Sequence, residues 1–259
     1  MKKIKVTKSL VPNLLTLVNL FSGFAAIVYF ADGDFKRGAL FILIAAIFDM
    51  LDGLVARLIN AASEFGAELD SLCDVVSFGV APSFMLYKMF FYQFNEFGIL
   101  IAALPALAGA TRLARFNIQL TNLEDKIYFK GLPIPSAALT IISFALFADF
   151  LCFGNSQYQY YMYFLVTLVV SYSMISTVKF DNIPRPSKKS FQQRPLVTIL
   201  FIIGIAVSVI SLGKLVFPFM LLYIVGSNIR QAFFFIKESK EPEEEIDDED
   251  ESEPTPFSN

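Results

Sequence analysis

The chain has 259 residues, 21 Lys+Arg against 24 Asp+Glu for a formal net charge of −3, a composition 55% hydrophobic and a mean hydropathy of +0.57. Apolar content at that level, gathered into runs of span length, excludes a soluble domain with a large core and indicates an integral membrane protein. The sequence contains no histidine and no tryptophan, which excludes imidazole catalysis and histidine-ligated zinc or haem, so acid-base or metal chemistry falls to carboxylates, Lys, Tyr or Cys.

Apolar length and loop breaks predict eight spans, at residues 10–31, 38–60, 67–90, 97–118, 134–153, 158–178, 196–213 and 215–236. With the N-terminus cytoplasmic, the cytoplasmic segments hold 17 Lys+Arg and the opposite side four, namely Lys36, Arg37, Lys88 and Lys214. That asymmetry orients both termini inward, and a bacterial cytoplasmic membrane is the expected location. The N-terminal apolar segment is too long for a signal-peptide core and lacks a small-residue cleavage site, so it should remain as the first span. Only Gly213 and Lys214 separate the last two spans, and a single re-entrant hairpin is the competing reading there.

Four regions follow from the same pass: an all-α membrane core of six helices over 1–180, a basic, proline-containing loop over 181–195, a two-helix hairpin over 196–237 and an acidic tail over 238–259. Eleven acidic residues lie between Glu238 and Glu253, which leaves the chain before them at +7. The tail is expected to be disordered, because it cannot bury enough apolar surface to fold. Cys73 and Cys152 are too few for a disulfide framework and read as packing residues. Tyr158, Tyr160, Tyr161 and Tyr163 read as an interfacial aromatic belt.

The second and third predicted helices carry an anomaly. Asp49, Asp52, Gly53, Ala56 and Arg57 fall at i, i+3, i+4, i+7 and i+8, and Gly66, Asp70, Cys73, Asp74 and Ser77 at i, i+4, i+7, i+8 and i+11, so each set forms one stripe on one helix face. An ionisable side chain inside a span costs about 2.5–3.5 kcal/mol on insertion scales. A short turn after Arg57 would make the two helices antiparallel neighbours, with Asp52 level with Asp70 and Asp49 with Asp74. At 1.5 Å per residue the acids then converge about 12 Å inside the boundary.

Four carboxylates so close require cations beyond Arg57, and two divalent ions would balance them. Oxygen ligands favour Mg²⁺, Mn²⁺ or Ca²⁺ over zinc. Gly53 and Ala56 leave bare helix surface beside the acids, and Arg57 suits a phosphate. Together these suggest phosphoryl transfer on a membrane-embedded diphosphate. Taken alone, Gly53, Ala56 and Gly66 are more often helix-packing residues. A divalent-cation transporter using the same acids is the alternative of a different class. Against it stand the absence of an internal repeat and of an acidic pair on the outer side.

The pattern Asp49, Asp52, Gly53, Ala56, Arg57, Gly66, Asp70, Asp74 resembles the signature D-x2-D-G-x2-A-R-x8-G-x3-D-x3-D of the CDP-alcohol phosphotransferase family. The resemblance implies a six-helix membrane enzyme, commonly a homodimer, that passes a substituted phosphate from a CDP-linked donor to an alcohol with release of CMP. It further implies that Asp49, Asp52, Asp70 and Asp74 bind two divalent ions, Mg²⁺ or Mn²⁺, with Asp74 as general base. Gly53, Ala56, Arg57 and Gly66 would then lie along the CDP diphosphate.

The run from Asp70 to Gly79 with Ala81-Pro82, then Ala114-Arg115-Phe116-Asn117, then Gly131 to Ser136, resembles the phosphatidylserine synthase branch. So does Val11-Pro12-Asn13-Leu14-Leu15-Thr16 with Asn19 and Gly23. The resemblance spans about residues 9–180 and implies CDP-diacylglycerol and L-serine as substrates, with no nucleic-acid partner. Glycerol 3-phosphate and inositol phosphate are the alternative acceptors. Arg112 and Arg115, three apart on one helix face, with Ser77, Lys130 and Ser136, are the candidate acceptor-binding residues. Both arginines also fit the positive-inside pattern, and Ser136 also fits a helix cap.

Overall fold

The computed structural model describes residues 9–61, 63–121, 131–151, 154, 156–176 and 216–238. Every regular element among them is helical: α1 (Leu10–Ala31), α2 (Phe35–Leu58), α3 (Glu64–Asp74), a π-helical turn (Val75–Val80), α4 (Ala81–Met89), a 3-10 turn (Phe91–Phe94), α5 (Asn95–Thr121), α6 (Ile134–Leu151), α7 (Ser156–Ile175) and α8 (Val216–Glu238). The all-α expectation holds. Four segments, Leu10–Ala31, Phe35–Leu58, Glu64–Met89 and Phe91–Ile118, are long and apolar enough to cross a bilayer, with shorter apolar helices at Ile134–Ala148 and Val216–Ile229. The chain is therefore an integral membrane protein. The predicted span at 196–213, the loop at 181–195, the acidic tail, Lys130 and Cys152 lie outside the described residues.

The first helix explains how the others assemble. Its buried residues are Pro12, Thr16, Asn19, Ser22, Gly23, Ala26 and Phe30, most of them spaced alternately four and three apart, which keeps one seam facing the bundle. Leu14, Leu17, Phe21, Phe24 and Val28 cover the opposite side and are exposed, as lipid-facing residues should be. The seam is built from small and polar side chains, the composition that lets membrane helices approach closely without a hydrophobic drive between them. Gly23 is the tightest point, since a Cβ there would collide with Ser77.

A tight turn joins α1 to α2. Gly33 has φ +80°, and the Gly33 and Asp34 amides donate to Phe30 O at 3.1 Å and Tyr29 O at 2.9 Å, closing the last carbonyls of α1. The Asp34 carboxylate then caps α2 by accepting from the Arg37 amide at 3.0 Å. The result is an antiparallel pair in extensive contact, while α1 also packs against α3, the π-helical turn and α4. The two acidic helices both pack on α1, and α2 also touches the π-helical turn that continues α3. Their carboxylates meet beside its seam.

The third predicted span is not a uniform helix. The Ala81 amide reaches back to Val76 O, an i→i+5 bond, and Pro82 follows immediately. Proline lacks the amide that would serve Phe78 and its ring crowds that carbonyl. The wider π turn absorbs this defect directly after Asp74. Pro105 lies inside α5, which continues through it as α-helix, and the Ala106 amide beside it donates to Ser83 Oγ at 3.1 Å, which ties α5 to α4.

The core runs from Ala26 and Phe30 through Phe78, Met85 and Phe91 to Ile141, Phe144, Met174 and Ile224. Phe90 is its aromatic hub, stacked on Tyr163 with ring centroids 4.3 Å apart and edge-on to Tyr160 at 5.2 Å. Tyr163 is buried while Tyr158 and Tyr161 are exposed, so the expected aromatic belt loses Tyr163 to the core. A ring stacked on a buried phenylalanine gains more there than at a wet interface.

Candidate active site

Asp49 on α2 and Asp70 and Asp74 on α3 converge: one carboxylate oxygen from each lies within 4.8 Å of the others. Asp49 and Asp74 thus face each other from α2 and α3. These two sit at the positions that antiparallel stripes would place level, so the facing of acids expected from the spacing is present. Asp52 stands slightly apart. It is buried and lies within electrostatic reach of Asp49 and Asp70, but its Oδ2 accepts from the Thr16 hydroxyl at 2.7 Å.

The first helix supplies the partners. Asn19 Nδ2 donates to Asp74 Oδ1 at 3.2 Å, and Thr16 serves Asp52, so each acidic helix is tied to α1 by one side-chain bond. Neither residue emerges from the acidic pattern. The available signal was the occurrence of Thr16 and Asn19 on one stripe of a helix otherwise rich in Leu, Val and Phe. A polar side chain facing the bundle inside a span calls for a partner.

Ser77, a candidate acceptor ligand, is fully buried and donates from Oγ to Asn19 O at 3.1 Å. The structure places it in the seam with α1, where it holds Asn19 one helical turn from Asp74. Ser136 is buried within the first turn of α6. Ser71 and Asn117 pair across α3 and α5, Asn117 Nδ2 donating to Ser71 Oγ at 3.1 Å. This fixes α3 against the helix that carries the arginines.

The arginines have different surroundings. Arg112 is only 7% exposed, stands in electrostatic reach of Asp74, and its Nε has no hydrogen-bond partner among the described residues. Arg115 is half-buried and donates from Nη2 to Met174 O at 3.3 Å. That carbonyl also confronts Gly131, whose φ is +85° and where a Cβ would collide with Met174 O. The Leu132 amide donates to Ser173 O at 2.9 Å. The Gly131 to Ser136 run is thus pinned to the end of α7 beside Arg115.

On the other flank, Arg57 lies exposed in the last turn of α2. A Cβ on Gly53 would meet nothing closer than Arg57 Nη1 at 4.0 Å, whereas one on Gly66 would lie 3.1 Å from Ser63 Oγ and 3.2 Å from Asn13 Oδ1. Gly53 therefore borders open space, and Gly66 marks a close approach of α3 to α1. Ala56 is half-buried between Gly53 and the end of the helix.

The donor set suits a hard cation. Its oxygens are carboxylate and amide, and both Asp70 Oδ1 and Asn19 Oδ1 are buried acceptors with no donor among the described residues. A buried acceptor without a donor is costly unless a cation faces it. An oxygen-only donor set of this kind suits a hard divalent cation.

Comparison with known proteins agrees with this chemistry. The family model described as CDP-alcohol phosphatidyltransferase matches residues 9–178. A CDP-diacylglycerol–serine O-phosphatidyltransferase of Helicobacter pylori is 36% identical over 230 residues, covering 88% of this chain and 93% of that protein. One of Bacillus subtilis is 34% identical over 184 residues, covering 70% of this chain and 96% of that protein. An archaetidylserine synthase of Methanothermobacter thermautotrophicus is 36% identical over 174 residues, covering 66% and 70%. The matched stretch contains the whole carboxylate cluster and both arginines, and the chain belongs to the CDP-alcohol phosphatidyltransferase family.

Proposed function

We propose that this chain is a phosphatidylserine synthase, which transfers the phosphatidyl group of CDP-diacylglycerol to the hydroxyl of L-serine and releases CMP. The observation that carries the reading is the convergence of Asp49, Asp70 and Asp74 within 4.8 Å near a buried Arg112 whose Nε has no partner among the described residues. This sets an acidic locus for a diphosphate-bound cation beside a cationic locus for an acid group. The names of relatives across bacteria and an archaeon support serine as the acceptor.

Asp49, Asp52, Asp70 and Asp74 would hold two divalent ions, Mg²⁺ or Mn²⁺. When bound, such ions neutralise a diphosphate and polarise its phosphorus-oxygen bonds. Over the whole reaction the serine oxygen gains a bond to the lipid-side phosphorus, the bond from that phosphorus to the CMP oxygen is lost, and the hydroxyl proton passes to Asp74. Asn19, bonded to one Asp74 oxygen, orients that carboxylate and leaves its second oxygen for the proton. Gly53 admits the donor close to the α2 backbone, and Arg57 meets a phosphate at the mouth. Arg112 takes the serine carboxylate, and Arg115, held by Met174 O, shapes the same end.

The 17 to 4 asymmetry in Lys+Arg supports a cytoplasmic site with both termini inside. The match over residues 9–178 supports a six-helix core to which the last helices are appended. A homodimer is part of the same proposal, supported by the family resemblance. The deciding assay measures CMP release from CDP-diacylglycerol by purified protein with Mg²⁺ or Mn²⁺. Release is expected to require serine, and release with glycerol 3-phosphate but not serine would overturn the assignment.

A further inference from the structure

Asn19 lies in the middle of the α1 seam and is fully buried. Its backbone is clamped there. Ser77 Oγ donates to Asn19 O at 3.1 Å, and Ser77 comes that close because Gly23, one turn further along α1, has no Cβ to collide with it. The side chain is aimed at the acids, with Nδ2 donating to Asp74 Oδ1 at 3.2 Å. The other atom of the amide head is unserved: Asn19 Oδ1 is a buried acceptor with no donor among the described residues, as is Asp70 Oδ1 on α3. An asparagine placed only to donate to Asp74 would leave half of its amide desolvated without return.

The chemistry of the cluster has a use for such an oxygen. Four aspartates already match the charge of two divalent ions, yet each hard cation takes about six oxygens. Further ligands are therefore best neutral, and an amide carbonyl supplies an oxygen without a charge. The spacing suits the role. Adjacent oxygens of an octahedral site, each about 2.1 Å from the ion, lie about 3 Å apart, and the amide head stands 3.2 Å from Asp74 Oδ1. The nitrogen and oxygen of an amide are nearly equal in size, so a half-turn about Cβ–Cγ exchanges them in place.

We propose that Asn19 is a neutral ligand of the cation held by Asp74, and that its amide reverses when the metal binds. Nδ2 donates to Asp74 in the metal-free protein, and Oδ1 takes the same place beside Asp74 Oδ1 when an ion is present. The proposal rests on reading the acids as a metal site. In the metal-free protein the N–H relieves one buried carboxylate, and in the loaded protein the oxygen joins the coordination sphere. One side chain thus serves both states without a charge of its own. Asn19 still orients Asp74 in the loaded protein, through the shared ion rather than through the N–H.

The test uses the full chain in detergent without substrate. Wild type labelled with carbon-13 at the asparagine Cγ is compared before and after addition of Mg²⁺ by isotope-edited infrared difference spectroscopy. A labelled side-chain carbonyl band should shift, and the shift should be missing from Asn19→Asp, which carries no label at that position. Affinity for Mn²⁺, read from the electron paramagnetic resonance of the free ion, should fall about tenfold or more in Asn19→Leu. Asn19→Asp keeps the oxygen and lacks the N–H, and should bind Mn²⁺ at least as tightly as wild type. Ser22→Ala, on the same seam, should leave the affinity unchanged. Mn²⁺ binding by wild type without a shifted asparagine band, an equal loss in both Asn19 variants, or a matching loss in Ser22→Ala overturns the ligand role and leaves the acids as the metal site. If Asn19→Leu does not fold, the wild-type band decides alone. No Mn²⁺ binding by wild type overturns the metal reading of the acids and the proposal with it.

Discussion

Replacing Gly53 with alanine separates two roles for the glycine by opposite signs. If Gly53 only packs helices, an added methyl in a filled interface should destabilise by about 1–3 kcal/mol. Among the described residues, outside its own stretch of helix backbone, the nearest atom to that methyl is Arg57 Nη1 at 4.0 Å. Gly53 also lies in the interior of a 24-residue helix, where glycine is about 0.5–1 kcal/mol less favourable than alanine. Gly53→Ala should therefore stabilise the folded protein by about that amount, read as a higher melting temperature in detergent without substrate. If the open side is where the donor approaches, the same methyl intrudes on the diphosphate, and a steric conflict of about 1.4–2.8 kcal/mol lowers kcat/KM for CDP-diacylglycerol by about 10- to 100-fold. The KM for serine should stay within about twofold. Higher stability with unchanged kinetics would refute the donor groove, and lower stability would refute the open face.

Asp74→Asn keeps the shape of the side chain and should reduce serine-dependent CMP release by at least about 100-fold, the usual share of a general base. Protection against melting by Mn²⁺ should remain measurable, and retained turnover would remove Asp74 as the base. Thr16→Val deletes the 2.7 Å bond to the buried Asp52, a loss of about 1.5–3 kcal/mol for a bond to a charged group. It should raise the Mn²⁺ concentration needed for half-maximal activity about tenfold, with Thr16→Ser restoring it. Gly131→Ala forces a side chain into a left-handed conformation against Met174 O. It should destabilise the protein by at least about 1–2 kcal/mol, visible as a lower melting temperature, and an unchanged melt would show that the turn relaxes freely.

Helix positions were legible because hydrophobic length dominates the signal in a membrane chain. The predicted 10–31 coincides with Leu10–Ala31, and the predicted 134–153 shares its start with Ile134–Leu151. The meeting of Asp49, Asp70 and Asp74 was legible as well, since a stripe at helical spacing must face something, and charges in a bilayer must face one another. What spacing could not convey is which backbone lies between. Periodicity specifies a face without specifying the neighbour, and so α1 went unrecognised as the support of both acidic helices. The break at Val75–Val80 was hidden because Pro82 alone permits either a kink or a π turn. Ser77 lay on the acidic stripe, but the wider π turn begins before it, and its hydroxyl turns to Asn19 O instead.

The bonds from Thr16 to Asp52 and from Asn19 to Asp74 also bear on biogenesis. Synthesis runs from the N-terminus, so α1 enters the bilayer before either acidic helix has left the insertion machinery. Each aspartate arriving in the apolar phase carries a penalty of about 2.5–3.5 kcal/mol. The hydroxyl and amide on the seam of α1 are donors already at the right depth to receive two of them. On that order of synthesis, the seam of α1 offers each acidic helix one donor for a buried carboxylate.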